Sequence, residues 1–171
     1  ERKRLQVAFM NPDCFNIACR DPEYFRLMKE RFEVLADGIG LVIAGKLTGQ
    51  RLRENINGSD MYPHLCEMAE KNGFSIYLLG ARPGVAETMR RKTLESYPRL
   101  KFAGVRDGCF DLDAGAEQVV AAINASGADI LLVAFGVPRQ EKWLERWGGT
   151  ARSAGADRRR RTVRLLFRPD P

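Results

Sequence analysis

The segment Asp129–Phe135 constrains the fold more than any other part of the chain, because its last six residues are all apolar. Neighbouring side chains of a strand point to opposite faces, so a strand of this composition has to be covered on both faces. Gly136-Val137-Pro138 ends the strand, and the pattern of Arg139–Trp147 predicts a helix directly after it. A doubly covered strand followed by a helix is typical of a parallel sheet in an α/β protein.

The same alternation of strand and helix patterns runs through the rest of the chain. Strands are predicted at 5–10, 32–35, 74–79, 100–105 and 129–135. Helices are predicted from Asp21-Pro22 onward, at 41–47, from a cap at Ser59 or Asp60 to Asn72, and at 85–97, 114–124 and 139–147. The 171 residues have room for one domain, and we predict an α/β fold with a Rossmann-like, mainly parallel sheet and helices on both faces.

The positive charge of the chain is concentrated in its last residues. Of 28 basic and 22 acidic side chains, seven arginines and two aspartates lie in 149–171, which leaves 21 basic and 20 acidic residues in 1–148. The body is therefore nearly neutral, and the net charge of +6 says nothing about its ligand. We expect 1–148 to be one domain, incomplete at both ends since the chain opens without methionine, and 149–171 to be a basic tail.

Cysteine and histidine usage argues against a metal site of the common kind. Cys14, Cys19, Cys66 and Cys109 contain no CxxC pair, and the chain has one histidine. We expect four reduced thiols, a cytoplasmic protein, and neither metal nor cofactor. The longest apolar run, Ile130–Val137, is far shorter than the ~20 residues that a membrane span needs.

Turns rich in glycine and polar residues follow the predicted strands. Because ligands of parallel sheets bind at the carboxyl ends of the strands, we expect these turns to form the rim of one crevice. The rim residues are Asn11, Asp37-Gly38, Gly80-Ala81, Arg106–Gly108 and Gly136–Gln140. The chain contains neither a GxGxxG motif after a strand nor a Walker loop, so it lacks the fingerprints of dinucleotide and P-loop sites.

Two of these turns carry residues suited to chemistry. Asp37, in the turn Asp37–Gly40, is either a helix N-cap or a general base, since enclosure raises the pKa of a carboxyl group toward neutrality. In Gly136–Glu141, a proline at the helix start leaves backbone N–H groups facing the crevice, where they favour a phosphate group. Arg139 and Gln140 add a charge and an amide to that turn.

The motifs also form a familiar ordered set. They are Asn11 with Ala18 and Asp21-Pro22, Ala36–Gly40, Glu54–Asp60, Tyr77–Ala81 with Pro83–Ala86, Tyr97-Pro98, Gly108–Phe110 and Gly136–Trp143. Together they resemble the WecG/TagA/CpsF family of bacterial glycosyltransferases over residues 5–148.

The resemblance implies an inverting, metal-independent hexosyl or N-acetylmannosaminyl transferase. Such an enzyme moves a sugar from a UDP-sugar to an undecaprenyl-diphosphate-linked acceptor in surface polysaccharide or exopolysaccharide synthesis. It implies a peripheral position at the cytoplasmic face of the membrane, and it is compatible with a homo-oligomer.

The resemblance also assigns roles to individual residues. Asp37 corresponds to the general base of the family's DGxG turn, and Gln140 to the glutamine of its PxQE motif. Donor and acceptor would be held by Asn11, Asp60, Gly80, Ala81, Arg106, Gly108, Gly136, Arg139 and Gln140. Phe9 replaces a small polar residue of the family and Asn55 replaces an arginine, so an arginine contact at that place is not implied. The ENxNGxD version of the motif favours a glucosyl or similar donor over N-acetylmannosamine.

The arginine-rich tail has two interpretations. Four consecutive arginines, Arg158–Arg161, are ordinarily a solvated charge run. A second interpretation follows from the genetic code when each Arg is written as CGN and each Leu as CTN. Reading codons 158–170 one base later then permits the sequence Gly-Val-Gly-Gly-Leu-Phe-Asp-Phe-Tyr-Ser-Gly-Arg-Ile. This sequence resembles the glycine-rich turn that the family has after the helix corresponding to 139–147. We therefore predict a shifted reading frame, an exposed tail that does not complete the sheet, and weak UDP binding without transfer by this chain.

Two functions of other classes stay open from the sequence. A nucleic-acid-binding protein would use the arginine run, and its binding would fall steeply with salt, although the run has no interleaved aromatic residues. A nucleotide-binding module without catalysis would bind UDP and show no turnover. Because the body is neutral, we expect no nucleic-acid partner for it.

Overall fold

A computed structural model describes residues 5–50, 56, 58–149 and, for their backbone, 163–166. The strands are β1 (Leu5–Met10), β2 (Glu33–Ala36), β3 (Ser75–Gly80), β4 (Lys101–Arg106), β5 (Ile130–Ala134) and β6 (Val163–Leu166). The helices are α1 (Pro12–Arg20), α2 (Pro22–Arg31), α3 (Ile39–Leu47), α4 (Gly58–Asn72), α5 (Val85–Ser96), α6 (Ala116–Ser126) and α7 (Arg139–Trp147). Helices alternate with strands, which confirms the α/β, Rossmann-like prediction.

The described strands form one parallel sheet in the order β2-β1-β6-β5-β3-β4. From β1 the chain moves outward to β2, and it then crosses the sheet to build β3 and β4 on the other side. The order of the strands therefore reverses in the middle of the sheet, and a crevice opens at the carboxyl ends there. All strands end at the same edge because every pairing is parallel.

Two hydrophobic clusters, one on each face of the sheet, bury the central strands. On β5, Leu131 and Val133 pack into the cluster that α2, α6 and α7 cover, whereas Ile130 and Leu132 pack into the cluster that α4 and α5 cover. All four side chains are at most 3 % exposed. The sequence expectation that this strand needs cover on both faces is therefore confirmed.

The helix starts follow capping rules, with one addition and one correction. Asn11 Oδ1 accepts the backbone N–H of Cys14 at 2.8 Å and caps α1, a helix that the sequence analysis did not predict. Asp21 Oδ1 accepts the N–H of Tyr24 at 3.0 Å and caps α2 as predicted. Helix α4 already begins at Gly58, so Ser59 and Asp60 lie in its first turn and do not cap it.

The prediction that the tail leaves the sheet incomplete is wrong for Val163–Leu166. These residues form β6, which lies between β1 and β5 and pairs with both, beginning with Leu5 and Ile130 opposite Val163. Without β6, the facing sides of β1 and β5 would each expose a row of unpaired backbone N–H and C=O groups. β6 pairs with Leu5–Val7 of β1 and with Ile130–Val133 of β5. Its sequence VRLL has one arginine among three aliphatic residues, so the arginine run at 158–161 does not keep this part of the tail out of the sheet.

The structure also bears on cysteines, metals and membrane spans. All four cysteines carry free thiols. Among the described residues, no three His, Cys, Asp or Glu side chains are grouped so that they could hold a metal ion. Within the same residues, no helix has the length and apolarity that crossing a membrane requires.

Candidate active site

Backbone hydrogen bonds join the carboxyl ends of β3, β4 and β5. The N–H of Ala81 donates to the carbonyl of Ala134 at 2.7 Å, and the N–H of Gly108 donates to the carbonyl of Ala81 at 2.9 Å. Gly80 has a φ of +110°, and a Cβ there would lie 2.4 Å from the Ala134 oxygen. Only glycine fits this close approach, so the turn after β3 is shaped by the backbone of β5.

A cavity of about 560 Å³ opens beside this junction. Its wall consists of Ala81, Arg82, Val85, Gly108, Cys109, Phe110, Leu112, Ala134, Phe135, Gly136 and Arg139. Four of the predicted binding residues line it: Ala81, Gly108, Gly136 and Arg139. The wall combines two guanidinium groups with two aromatic rings, which suits a ligand that has both a phosphate and a planar ring. The rings of Phe110 and Phe135 meet edge to face at 5.7 Å.

A second, more apolar cavity of about 600 Å³ lies on the other side of the same turn. It shares Ala81, Val85 and Ala134 with the first cavity and also includes the predicted residue Gly80. Its wall between α4 and α5 is closed by a hydrogen bond of 2.8 Å between the hydroxyls of Tyr62 and Thr93. The two cavities therefore meet at the end of β3.

The turn after β5 is held by the side chain of Gln140. Gln140 Oε1 accepts the N–H of Gly136 at 3.1 Å, and the N–H of Gln140 donates to the Gly136 carbonyl, also at 3.1 Å. Gly136 has a φ of +81°, a backbone conformation that favours glycine. Gln140 is 3 % exposed and does not line the described cavity wall. Its amide thus fixes the turn that supplies Gly136 to the cavity.

Glu141 is a buried acid that the sequence analysis did not select. It is 1 % exposed, its Oε1 accepts Gln140 Nε2 at 3.2 Å, and its Oε2 has no hydrogen-bond partner among the described residues. Burial raises the pKa of the Glu141 carboxyl to about 7. Burial, followed by the nearby Glu141 charge, also raises the pKa of the Tyr24 hydroxyl. The three-residue spacing of Glu141 from Leu144, which is buried in α7, was the sequence signal that could have indicated the burial of this acid.

Asp37 lies at the carboxyl end of β2, beside the end of β1. Its N–H donates to the Met10 carbonyl at 2.7 Å, which continues the β1–β2 pairing by one residue. A Cβ at Gly40 would lie 2.8 Å from Pro12 Cγ, so the starts of α3 and α1 pack closely. Asp37 and Asn11 therefore sit at the ends of adjacent strands, and Asn11 Oδ1 is used to cap α1.

The predicted rim residues fall into two groups along the carboxyl edge. Asn11 and Asp37 belong to the β1–β2 half, and β2 lies three strand spacings from β5, which is roughly 14 Å. Arg106 ends β4 and places its guanidinium carbon 5.3 Å from the ring centroid of Phe110, which is a residue of the cavity wall. Asp60 is exposed in the first turn of α4. None of these four, nor Gln140, is part of the described cavity walls, so their binding roles stay predictions.

The fold and the site define an α/β protein with a phosphate-suited cavity at the carboxyl edge of its sheet. The glycosyl transferase WecG/TagA/CpsF family model matches residues 1–155, and the chain belongs to this family.

Two bacterial proteins are similar to this chain over most of its length. It is 33 % identical over 142 residues to the N-acetylglucosaminyldiphosphoundecaprenol N-acetyl-beta-D-mannosaminyltransferase of Bacillus subtilis strain 168. It is 31 % identical over 140 residues to the protein of the same name from Staphylococcus aureus strain NCTC 8325. Each match covers 82 % of this chain and 54 % of the relative, so the chain spans about half the length of these relatives.

Proposed function

We propose that this chain carries the catalytic fold of a transferase that moves a sugar from a UDP-sugar to a polyprenyl-diphosphate-linked acceptor. The observation that carries the proposal is the cavity at the ends of β3, β4 and β5, which joins two arginines, two phenylalanine rings and glycine backbone in one wall. Family membership and the names of the two relatives support the same reaction class. The product belongs to bacterial cell-surface polysaccharide or exopolysaccharide.

The cavity suits the UDP part of the donor. Arg82 and Arg139 are exposed cations on its wall and provide positive charge for a diphosphate. Glycines at 108 and 136 let the ligand approach the backbone closely, because no side chain stands in the way. The rings of Phe110 and Phe135 offer the apolar surface that a uracil ring needs.

The chemical step is a single displacement at the anomeric carbon. Asp37 takes the proton of the acceptor hydroxyl, and that oxygen forms a bond to the sugar carbon as the bond from this carbon to the UDP oxygen breaks. The electron pair of the broken bond leaves with UDP, where arginine charge stabilises it without a metal ion. Attack from the face opposite the leaving group inverts the configuration. An extended donor with its sugar toward β1 and β2 would span the roughly 14 Å between the two halves of the edge.

The lipid acceptor implies where the reaction takes place. A polyprenyl chain stays in the bilayer, so the transferase has to work at the membrane surface. We propose a peripheral position at the cytoplasmic face, where nucleotide sugars are available. Self-association as a homo-oligomer is compatible with this position.

Titration calorimetry with UDP tests the donor site on the chain itself. We expect UDP to bind, and Arg139→Ala to weaken binding about tenfold or more, since a charge-assisted hydrogen bond contributes roughly 1.5–3 kcal/mol. Arg90→Ala is the matched control because Arg90 pairs with Glu87 on the surface of α5. Equal UDP affinity in all three proteins would remove the cavity from the proposal.

Transfer is then measured with radiolabelled UDP-N-acetylmannosamine and UDP-glucose and a polyprenyl-diphosphate-linked N-acetylglucosamine acceptor. Labelled lipid product from either donor supports the proposal and identifies the sugar. UDP binding without product, also after the reading frame is restored, would favour a nucleotide-binding module. Steeply salt-dependent DNA binding without UDP binding would favour a nucleic-acid-binding protein.

A further inference from the structure

Helix α3 is apolar and yet largely exposed. Its sequence is IGLVIAGKL, and Gly45 is its one buried residue. Ile39 is 67 % exposed, Ile43 51 % and Leu47 84 %. Because these residues are four apart, they form one stripe along the helix, roughly 12 Å long. This stripe, Ile39–Ile43–Leu47, is called the α3 face below.

An exposed stripe of this kind needs an explanation, since helices that are apolar on all sides are normally buried. The opposite side of α3 packs against the protein through the buried Gly45 and the half-buried Leu41. The α3 face itself points away from that contact. Three aliphatic side chains provide a patch on the order of a few hundred Å², which is far below the roughly 800 Å² per partner of a stable protein interface. A second copy of the chain would therefore find too little area here.

The charges around the α3 face fit an anionic lipid surface. Lys46 is the only charged residue of the helix, and residues 38–50 contain no acid. Aliphatic side chains beside a lysine, with no acid in the same stretch, are the pattern of a helix that lies in the interface of an anionic bilayer.

The α3 face also lies next to the proposed general base. One residue, Gly38, separates Asp37 from the first residue of α3. The helix therefore begins at the carboxyl edge of the sheet, where the acceptor has to arrive. We propose that the α3 face inserts into the headgroup region of an anionic bilayer and brings Asp37 to the surface that holds the lipid-linked acceptor. The second part rests on the proposed function, whereas the membrane contact does not.

Sedimentation with vesicles tests the membrane contact without any need for enzyme activity. The 171-residue chain is incubated with vesicles of phosphatidylglycerol and phosphatidylcholine, and the bound fraction is measured against lipid concentration. We expect Leu47→Glu to lower vesicle affinity about tenfold or more, because it replaces an inserted apolar side chain with a charge. Ile43→Glu/Leu47→Glu is expected to lower it further.

Phe25→Glu is the matched control. Phe25 is 53 % exposed on α2, and its substitution changes the net charge by the same amount. Vesicle binding that depended only on the arginine-rich tail would weaken equally in both variants. The proposal is overturned if the unchanged chain does not bind the vesicles, or if Leu47→Glu and Phe25→Glu bind alike.

Two further measurements separate the alternatives. Sedimentation velocity without lipid reports self-association, and a Leu47→Glu variant that loses self-association while keeping vesicle affinity would identify an interface between copies instead. UDP binding by the Leu47→Glu variant is expected to equal that of the unchanged chain. Loss of vesicle binding with UDP binding intact supports the α3 face, and absent UDP binding in both proteins would count against the transferase proposal alone.

Discussion

Gln140 accepts the backbone N–H of Gly136 through its side-chain oxygen at 3.1 Å, across the turn that ends β5. The other end of the same amide donates to Glu141 Oε1 at 3.2 Å. A buried acid in α7 thus orients the amide, and the amide holds a glycine of the cavity wall. The glutamine and glutamate of the motif have a role in positioning the turn, which is distinct from direct contact with a ligand.

Gln140→Leu is expected to weaken UDP binding about tenfold and to lower the free energy of unfolding by roughly 1–3 kcal/mol. The substitution leaves the Gly136 N–H without its acceptor and frees the turn. Calorimetry with UDP and urea unfolding measure the two effects. Gln118→Leu, at an exposed position of α6, is the control and is expected to change neither value by much. UDP affinity unchanged by Gln140→Leu would show that the turn does not need this anchor.

Glu141 is expected to make folding stability depend on pH. Its pKa is about 7 in the folded protein against an ordinary value of 4.5, so between these values the folded state binds more protons than the unfolded state. Stability should therefore fall as pH rises from about 4.5 to 7 and change little above. Glu141→Gln should remove this dependence and raise stability at pH 8 by on the order of 3 kcal/mol.

Urea unfolding at several pH values measures the Glu141 effect. Glu117→Gln, at an exposed position of α6, is the control that should leave the pH dependence in place. If the stability of the Glu141→Gln variant depended on pH in the same way as that of the unchanged chain, the Glu141 carboxyl would not be the group that titrates between about pH 4.5 and 7.

Local sequence patterns predicted the strands better than the site. The predicted bounds of strand β1 and helix α7 agree with the structure at both ends, because an apolar run interrupted only by Gln6 and a proline-led helix start are local signals. Helix α1 was missed because Asn11 was interpreted as a residue of the turn after the first strand, whereas its side chain caps the next helix. Strand β6 was missed because its place depends on the unpaired sides of β1 and β5, which are distant in sequence.

The rim of the crevice was predicted at the correct edge but as one continuous site. Lateral distances along the edge follow from the strand order, and the sequence does not reveal that two strands separate β2 from β5. Glu141 and the α3 face were also missed, because the sequence analysis used local patterns alone. The burial of an acid and the exposure of Leu47 are properties of tertiary packing and not of local pattern.

Asp37→Asn is expected to lower the rate of sugar transfer by about 10²–10⁴-fold and to leave UDP affinity nearly unchanged, because a positioned general base acts on the acceptor proton. Radiolabelled transfer assays on the chain with its reading frame restored measure the rate. Asp113→Asn is the matched control, since Asp113 pairs with Arg146 on the surface. Full activity of the Asp37 variant would remove this residue from the mechanism.

Gly80→Ala is expected to destabilise the fold by about 3 kcal/mol or more. Its positive φ strains any side chain, and its Cβ would stand 2.4 Å from the Ala134 oxygen. Gly73→Ala is the control for strain alone, because Gly73 has a φ of +67° with open space around it. Its cost should be about 1–2 kcal/mol. Urea unfolding compares the two, and equal losses would mean that β5 yields to a side chain at this place.

The last prediction concerns the coding DNA of residues 149–171. The tail supplies β6, which any strand-forming segment between β1 and β5 can do through its backbone. The shifted frame would place Phe-Asp-Phe-Tyr at 163–166, which has the aromatic residues that strands favour. We therefore expect a single-base insertion or deletion between about codon 147 and codon 157. Stop codons in the neighbouring frame would contradict this expectation. Restoring the frame should raise both the free energy of unfolding and the rate of sugar transfer, and equal rates before and after restoration would show that the present tail already suffices.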